Sequence, residues 1–491
     1  MKLSEAASLM GASALGANSE VFDKEIKGFA LDSRAVAPGE LFFALSPEDL
    51  RRHCFTDTSA ADAHRFIPGA LGRGAAAAVA RGARVEGDRE LQAVRGPLLL
   101  VEDVIEALQM LARGVLEKWG GPVVGITGSA GKTTTKDLTA HVLGASGRRV
   151  LRSRKNFNNE LGVALSVLQM ESEGARPQEF DVAVLEMGMS LPGEIARHCT
   201  VAPPDVAVVL TVAPVHLEFM GSVEAIAEGK AQIVEGLKKG GTAVLNADDA
   251  LVAAMRARHA GRVITYGIDH PADVSATDIE RAGLGLTRFR LRTPLGEAKV
   301  ELPMPGRHNL SNALAAAAVA TSFDLAPGTI AEALSTAAPS QMRGEVLSFA
   351  EGFTVVDDSY NSNPRSLLAM AEAVAQGGDE VKRRVIVAGE MLELGAESAA
   401  LHREAGRDIA GLGVDVVWGV RGDARELVEG AREAGLSEGA TAFFETSEEA
   451  AQALAGFVRA GDLVLVKGSR GVHMERVVEA LRAKCRMQSA E

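Results

Sequence analysis

Residues 125–143, "GITGSAGKTTTKDLTAHVL", decide how the rest of the chain reads. A β-branched run, "PVVGIT" at 122–127, feeds Gly128-Ser129-Ala130-Gly131, and a helix opens at Lys132. Glycines let the backbone curl so that its N–H groups and the helix N-terminus face an anion. Lys132 adds a point charge, and the Thr133 hydroxyl can reach Mg²⁺. The widespread phosphate loop has a further glycine five residues before the one preceding the lysine. Here that position is Ile126. A glycine turn that merely joins strand to helix is the plainer reading; the strand–loop–helix context favours phosphate.

Outward from this loop, short β-branched runs ending in Gly, Asp or Asn alternate with alanine-rich helical stretches: "VAVLEMG", "VAVVLT", "TAVLNA", "RVITYG", "RRVIVAGEM", "VDVVWG" and "DLVLVKGS". That pattern predicts parallel α/β units, with ligands at the carboxyl ends of the strands. Three blocks follow: 1–118, which closes on the helix "VIEALQMLARGVLEKW"; 119–337, which holds the phosphate loop; and 338–491, which begins near "PSQMRGE". No internal repeat is visible.

At 491 residues the chain is too long for one core. Acidic and basic residues interleave and the net charge is −13, which argues against nucleic acid as a partner, since that needs a basic face. Cys54, Cys199 and Cys485 are odd in number and lack C-x-x-C spacing, so neither a disulfide framework nor a cysteine zinc site is expected. Glu5 interrupts what would be a signal's apolar region, and the longest apolar run, "ALAAAAVA" at 313–320, is far short of a membrane span. The expectation is a cytoplasmic protein.

Polar clusters gather at the predicted strand ends. Glu186 ends "DVAVLE", where a carboxylate can meet Mg²⁺ and where a solvated strand-end acid is equally ordinary. His216 follows "VAVVLT", and Lys230 lies inside a helix; taken alone each reads as structural or solvated. His308, Asn309 and Asn312 stand at a helix start, where capping and nucleobase contact both account for them. "VVDDSYNSNP" ends a strand with two acids and a run of amides, which Asx-turn chemistry explains only in part.

In this order, the pieces resemble the Mur ligase family of ATP-dependent amide-forming enzymes. The short loop Thr127 to Thr133 matches that family's T-G-x-x-G-K-T, which accounts for the missing upstream glycine. The stretches Gly306-Arg307-His308-Asn309-Leu310-Ser311-Asn312 and Lys467-Gly468-Ser469-Arg470-Gly471 match its later landmarks. "NFNNELGVALSVL", "EMGMSLPGEI", "DDSYNSNP" and "AGEMLELGAES" look most like the member that adds D-alanyl-D-alanine to a UDP-MurNAc-tripeptide. Where the preceding ligase of the pathway carries T-T-P, this chain has Asn158-Asn159-Glu160. The N-terminal "LDSRAVAPGELFFAL" is a uridine-side signature, but the D-G-H that follows in the family is replaced by Asp62-Ala63-His64 after a longer segment.

The resemblance implies a three-domain α/β architecture. A central P-loop ATPase-like parallel-sheet domain is flanked by an N-terminal UDP-substrate domain and a C-terminal Rossmann-like domain. It further implies that Gly128, Ser129, Ala130, Gly131, Lys132, Thr133 and Thr134 hold ATP phosphates. Two Mg²⁺ ions would be held with Thr133, Glu186, His216 and a carbamylated Lys230. His308, Asn309 and Asn312 would meet the nucleoside, with Arg343 and Asp358 closing over the γ-phosphate and ribose. Ser33 and Arg34 would serve the uridine side, Asn158 and Asn159 the muramoyl-peptide, and Tyr360, Asn361 and Asn363 the dipeptide. Lys132, Glu186, His216, Lys230 and Arg343 are the catalytic set so implied, in a monomer.

Overall fold

The computed structural model describes residues 1–16, 19–53, 55, 61–154, 157–281, 285–378 and 380–487. They form two compact units. The first joins Met1–Thr127, Gly147–Ala207 and Gln232–Thr242; the second joins Gly128–Ser146, Val208–Ala231 and Ala243–Glu491.

In the first unit a five-stranded sheet runs Ser13–Leu15, Leu98–Val101, Ala77–Arg81, Glu40–Phe43, Gly28–Ala30. Only its first pair is antiparallel. The helix Val104–Trp119 follows. Asp103 caps its start, accepting from the N–H groups of Ile105 and Glu106, and Gly120 in the left-handed region ends it. Val104, Ile105, Leu108, Leu111, Val115 and Leu116 are buried at helical spacing. The same unit holds the parallel strands Val123–Thr127, Val182–Glu186 and Val150–Arg152. The first two are buried at every position, as expected of parallel strands covered on both faces.

In the second unit, a six-stranded sheet runs Glu345–Ser348, Thr354–Asp358, Asp462–Lys467, Arg383–Gly389, Val416–Val420, Thr441–Phe444. All but its first pair are parallel. Successive side chains divide between its faces: Val385 and Val387 pack with Phe353 and Leu481, while Ile386 and Ala388 pack with Leu367 and Leu427. Each fully buried aliphatic side chain of this kind contributes about 1.5–3 kcal/mol.

The parallel α/β character is as the strand runs predict. One part of the second unit differs from that expectation. Val274–Arg281, Thr287–Thr293 and Gly296–Leu302 form an antiparallel set. Thr287–Thr293 alternates buried and exposed positions, so its outer face carries arginines paired to acids across the strands, among them Arg288–Glu301 and Arg292–Glu297.

Among the described residues no helix is long and apolar enough to cross a membrane. Cys199 and Cys485 are free thiols, and Cys54 lies outside the described residues.

Candidate functional site

The strand Val123–Thr127 delivers the chain to Gly128, and the helix Lys132–Ala145 leaves from Gly131. Gly131 sits at φ 82°, and a Cβ there would lie 2.3 Å from Asn312 Oδ1, so both conformation and space demand glycine. The loop is fixed by Ser129, whose N–H donates to the Thr211 carbonyl at 2.8 Å. Ser129 Oγ donates to the Ala213 carbonyl at 3.1 Å and accepts from the Ala213 N–H at 2.9 Å. Lys132 Nζ donates to the Gly128 carbonyl at 2.7 Å, so the ammonium stays over the loop. Thr133 and Thr134 are buried in the first helical turn.

Lys230, on the helix Val223–Glu235, is 1% exposed. Burial, reinforced by the neighbouring Lys132 charge, holds its ammonium well below the usual lysine range. A lysine biased toward the free amine at this place is chemically distinct from a solvated surface charge.

His216 lies in the left-handed region at φ 55°, and its Nδ1 pairs with the carboxylate of Glu393, itself at φ 64°. A carboxylate only accepts, so the proton sits on Nδ1. That bond pulls the Glu393 carboxyl below its ordinary range.

Neither asparagine of the helix Arg307–Ser322 caps it; the N-cap is Gly306, without a side-chain bond. Asn309 Nδ2 instead donates to the Pro305 carbonyl at 2.7 Å. Asn312 Oδ1 accepts from Thr135 Oγ1 at 3.3 Å, which ties this helix to the one behind the phosphate loop. His308 Nδ1 is buried without a hydrogen-bond partner among the described residues, and burial pushes the imidazole down to about 4, so it is neutral near pH 7.

At the end of Thr354–Asp358, Asp358 pairs with buried Lys467 at 2.5 Å, and Lys467 also donates to the Asn361 carbonyl at 2.8 Å. The Arg343 guanidinium lies 4.1 Å from the Tyr360 ring centroid, and Arg470 approaches the same ring at 5.5 Å. The geometry thus brings Arg343, Asp358, Tyr360 and Asn361 together. Asn363 is also a helix cap, its side-chain oxygen accepting from Ser366 N–H at 2.9 Å at the start of Pro364–Ala375.

In the first unit, the register sets Glu186 opposite Ile126, two residues before the glycine loop begins. Glu186 is 1% exposed, and its Oε1 accepts from Asn158 Nδ2 at 2.8 Å. Asn159 caps the helix Glu160–Leu168, accepting from Gly162 N–H at 2.8 Å. Ser33 is buried, whereas Arg34 is exposed and pairs with Asp32. The Asp62-Ala63-His64 stretch is an internal brace. His64 Nδ1 meets Asp62 at 2.7 Å and His64 Nε2 accepts from Arg81 N–H at 2.9 Å.

Two residues with contacts at this machinery had no signal in the sequence. Glu393 lies inside a stretch recognisable as a whole, but its pairing with His216 spans 177 positions. Arg365 is a lone helical arginine by its surroundings, yet it reaches Thr211 and Asp249.

A glycine loop between parallel strand and helix, with a buried lysine and strand-end acids, defines a nucleotide-binding α/β enzyme. Comparison with known families specifies it further. The Mur ligase middle domain matches residues 126–320, and the Mur ligase glutamate ligase domain matches residues 342–470. The UDP-N-acetylmuramoyl-tripeptide–D-alanyl-D-alanine ligase of Bacillus subtilis is 33% identical, covering 95% of each chain. The corresponding ligase of Mycobacterium tuberculosis is 37% identical, covering 92% of this chain and 91% of that one. Among solved structures, MurF from Acinetobacter baumannii superposes with a TM-score of 0.84 at 28% identity, covering 98% of this chain and 99% of that one. MurF from Thermotoga maritima, solved with ADP, gives 0.78 at 30% identity, covering 95% and 99%. The chain belongs to the Mur ligase family, with the UDP-N-acetylmuramoyl-tripeptide–D-alanyl-D-alanine ligases.

Proposed function

We infer that this chain joins D-alanyl-D-alanine to UDP-N-acetylmuramoyl-tripeptide at the expense of ATP, making a peptidoglycan precursor. A carboxylate is a hopeless acyl donor at neutral pH. Its oxygen therefore attacks the γ-phosphorus, the bond to the β-phosphate oxygen breaks, and ADP leaves. The dipeptide's free amine then attacks the carbonyl carbon, loses a proton, and phosphate departs with the former carboxylate oxygen. Such chemistry asks for alignment and charge neutralisation more than for covalent help from the protein.

In this reading Gly128–Thr134 and Lys132 hold the β- and γ-phosphates, and Arg343 neutralises charge on the transferred group. His308, Asn309, Asn312 and Asp358 take the nucleoside. Asn158 and Asn159 face the muramoyl-peptide, Tyr360, Asn361 and Asn363 the dipeptide, and Ser33 and Arg34 the uridine side. By the resemblance Mg²⁺ is the metal of this reaction, and the buried Thr133 hydroxyl and the buried Glu186 carboxylate, steadied by the Asn158 amide, are each hard oxygens of the kind it takes. Thr133, Glu186 and His216 are the residues to hold such ions, which would supply charge neutralisation at the phosphates. Lys230, biased toward its free amine, is suited to take up CO₂ as a carbamate. The domains this reading assigns are 1–118, 119–337 and 338–491, in a cytoplasmic monomer.

The observation that carries the inference is the short loop at Gly128–Lys132 beside the buried Lys230. Its test is phosphate release from ATP with UDP-MurNAc-tripeptide, comparing D-alanyl-D-alanine, single amino acids and no amine. Release that needs the dipeptide, with a product heavier by that dipeptide, is expected. Turnover with a UDP-MurNAc-dipeptide and a free diamino acid instead would refute the substrate assignment.

A further inference from the structure

Arg365 is the second residue of the helix Pro364–Ala375, just beyond the turn assigned to the dipeptide, and the reaction above does not use it. Its side chain reaches back to the chain segment 211–213. One nitrogen, Nη1, lies 2.5 Å from Thr211 Oγ1, 3.3 Å from the Val212 carbonyl oxygen and 3.2 Å from Asp249 Oδ2. Asp249 is buried, and the same Oδ2 accepts from the Thr211 hydroxyl and the Val212 N–H, each at 2.9 Å. From the other side that segment is stitched to the phosphate loop by Ser129, through its contacts with Thr211 and Ala213. Hydrogen bonds therefore run without a break from the first turn of the dipeptide-side helix to the loop Gly128–Gly131.

The helix end is rigidly placed. Asn363 and Ser366 close a reciprocal capping box around it, so a shift of the turn Asp357–Pro364 carries the Arg365 backbone with it. A guanidinium that serves a hydroxyl, a carbonyl and a carboxylate at once can pin the segment only while the helix start is in register. Resting on the assignment of the two loops to nucleotide and dipeptide, we propose that Arg365 is a positioning residue that couples them. Occupation of the dipeptide turn holds Thr211–Ala213 against Ser129 and tightens the nucleotide phosphates in the loop. By linkage, nucleotide tightens the dipeptide by the same factor.

The test is calorimetric titration of ADP with Mg²⁺ into the full chain, in the presence of UDP-MurNAc-tripeptide, with and without D-alanyl-D-alanine. ADP is used so that nothing turns over. In the wild type the dipeptide tightens ADP by about fivefold or more, the lower end of ordinary coupling between sites. That factor falls to about 1 in Arg365→Ala and returns in part in Arg365→Lys, whose single charge keeps some of the Nη1 contacts. Thr211→Val, which removes a hydroxyl without changing shape, reproduces the loss, and the melting temperature of each variant reports its folding. A factor near 1 in the wild type, or one that survives Arg365→Ala, overturns the coupling while leaving the nucleotide assignment standing. A wild-type chain that binds no ADP removes both, and is recognisable as that separate failure.

Discussion

Two clusters of buried ionisable groups, one in each unit, are built on opposite rules. In the first unit, Glu160 is 2% exposed and is met by His53 Nδ1 at 2.9 Å, by Gln109 at 3.2 Å and by Arg197. His53 turns its other nitrogen to Asp103 at 3.2 Å, and Asp103 also caps a helix. Burial works to raise both carboxyls, and the bonds they accept outweigh it, so both end below their ordinary values. In the second unit the buried Lys230 has Lys132, a like charge, as the neighbour that shifts it. Pairing within the fold stabilises it; a buried group facing a like charge costs stability and leaves a place for chemistry to complete.

Lys230→Met should break that contrast most visibly. It removes the desolvated amine while keeping length and bulk, so turnover is expected to fall by about 10³ or more, or about 4 kcal/mol of barrier. Unfolding stability should stay level or rise, because the lost group opposed folding. Steady-state turnover beside a denaturant melt reads both. Retained turnover would return Lys230 to an ordinary core position.

Glu160→Ala should do the reverse. It leaves the His53 and Arg197 charges without their buried carboxylate, and breaking such a cluster from one side costs about 3–5 kcal/mol of stability. Denaturant unfolding checks it. A loss below about 1 kcal/mol would mean that water already screens the cluster and that the two regions do not differ in kind.

The two clusters also differ in how far the sequence announced them. Strand ends and the glycine loop are legible, because β-branched runs and Gly128, Gly131 and Lys132 carry local rules of conformation and charge. So was the helix Val104–Trp119, with its capping acid and terminal glycine. The antiparallel strands at 274–302 were not, since "TRFRLRT" alternates arginine with apolar residues and lacks the continuous apolar run of a buried parallel strand. Asn159 and Asn363, assigned to substrate by resemblance, prove also to be helix caps, a role their positions before Glu160 and Pro364 do signal. His53 could not be placed at all. Its partners lie 50 and 107 residues away, and no local pattern encodes a pairing made by tertiary packing.

The smallest of these effects is the most diagnostic of the first cluster, because it reads the protonation of one imidazole. Hydrogen bonds to Asp103, then to Glu160, push His53 up from 6.5 to about 9 against the opposing effect of burial. The folded protein therefore keeps a proton that the unfolded chain releases. That contribution is fully present below pH 6.5 and fades as pH rises through about 9. The depressed carboxyls of Asp103 and Glu160 act in the opposite window: their contribution is present above the ordinary carboxylate range and is lost on acidification. Between pH 6.5 and 9 the depressed carboxyls of Asp103 and Glu160 are already ionised, so the slope in that interval belongs to His53 within this cluster. Melting temperatures across the interval should decline in the wild type and decline less in His53→Gln, which keeps hydrogen-bonding capacity without the charge. Equal slopes would show that His53 is neutral in the folded protein and that its charge does not hold the first cluster together.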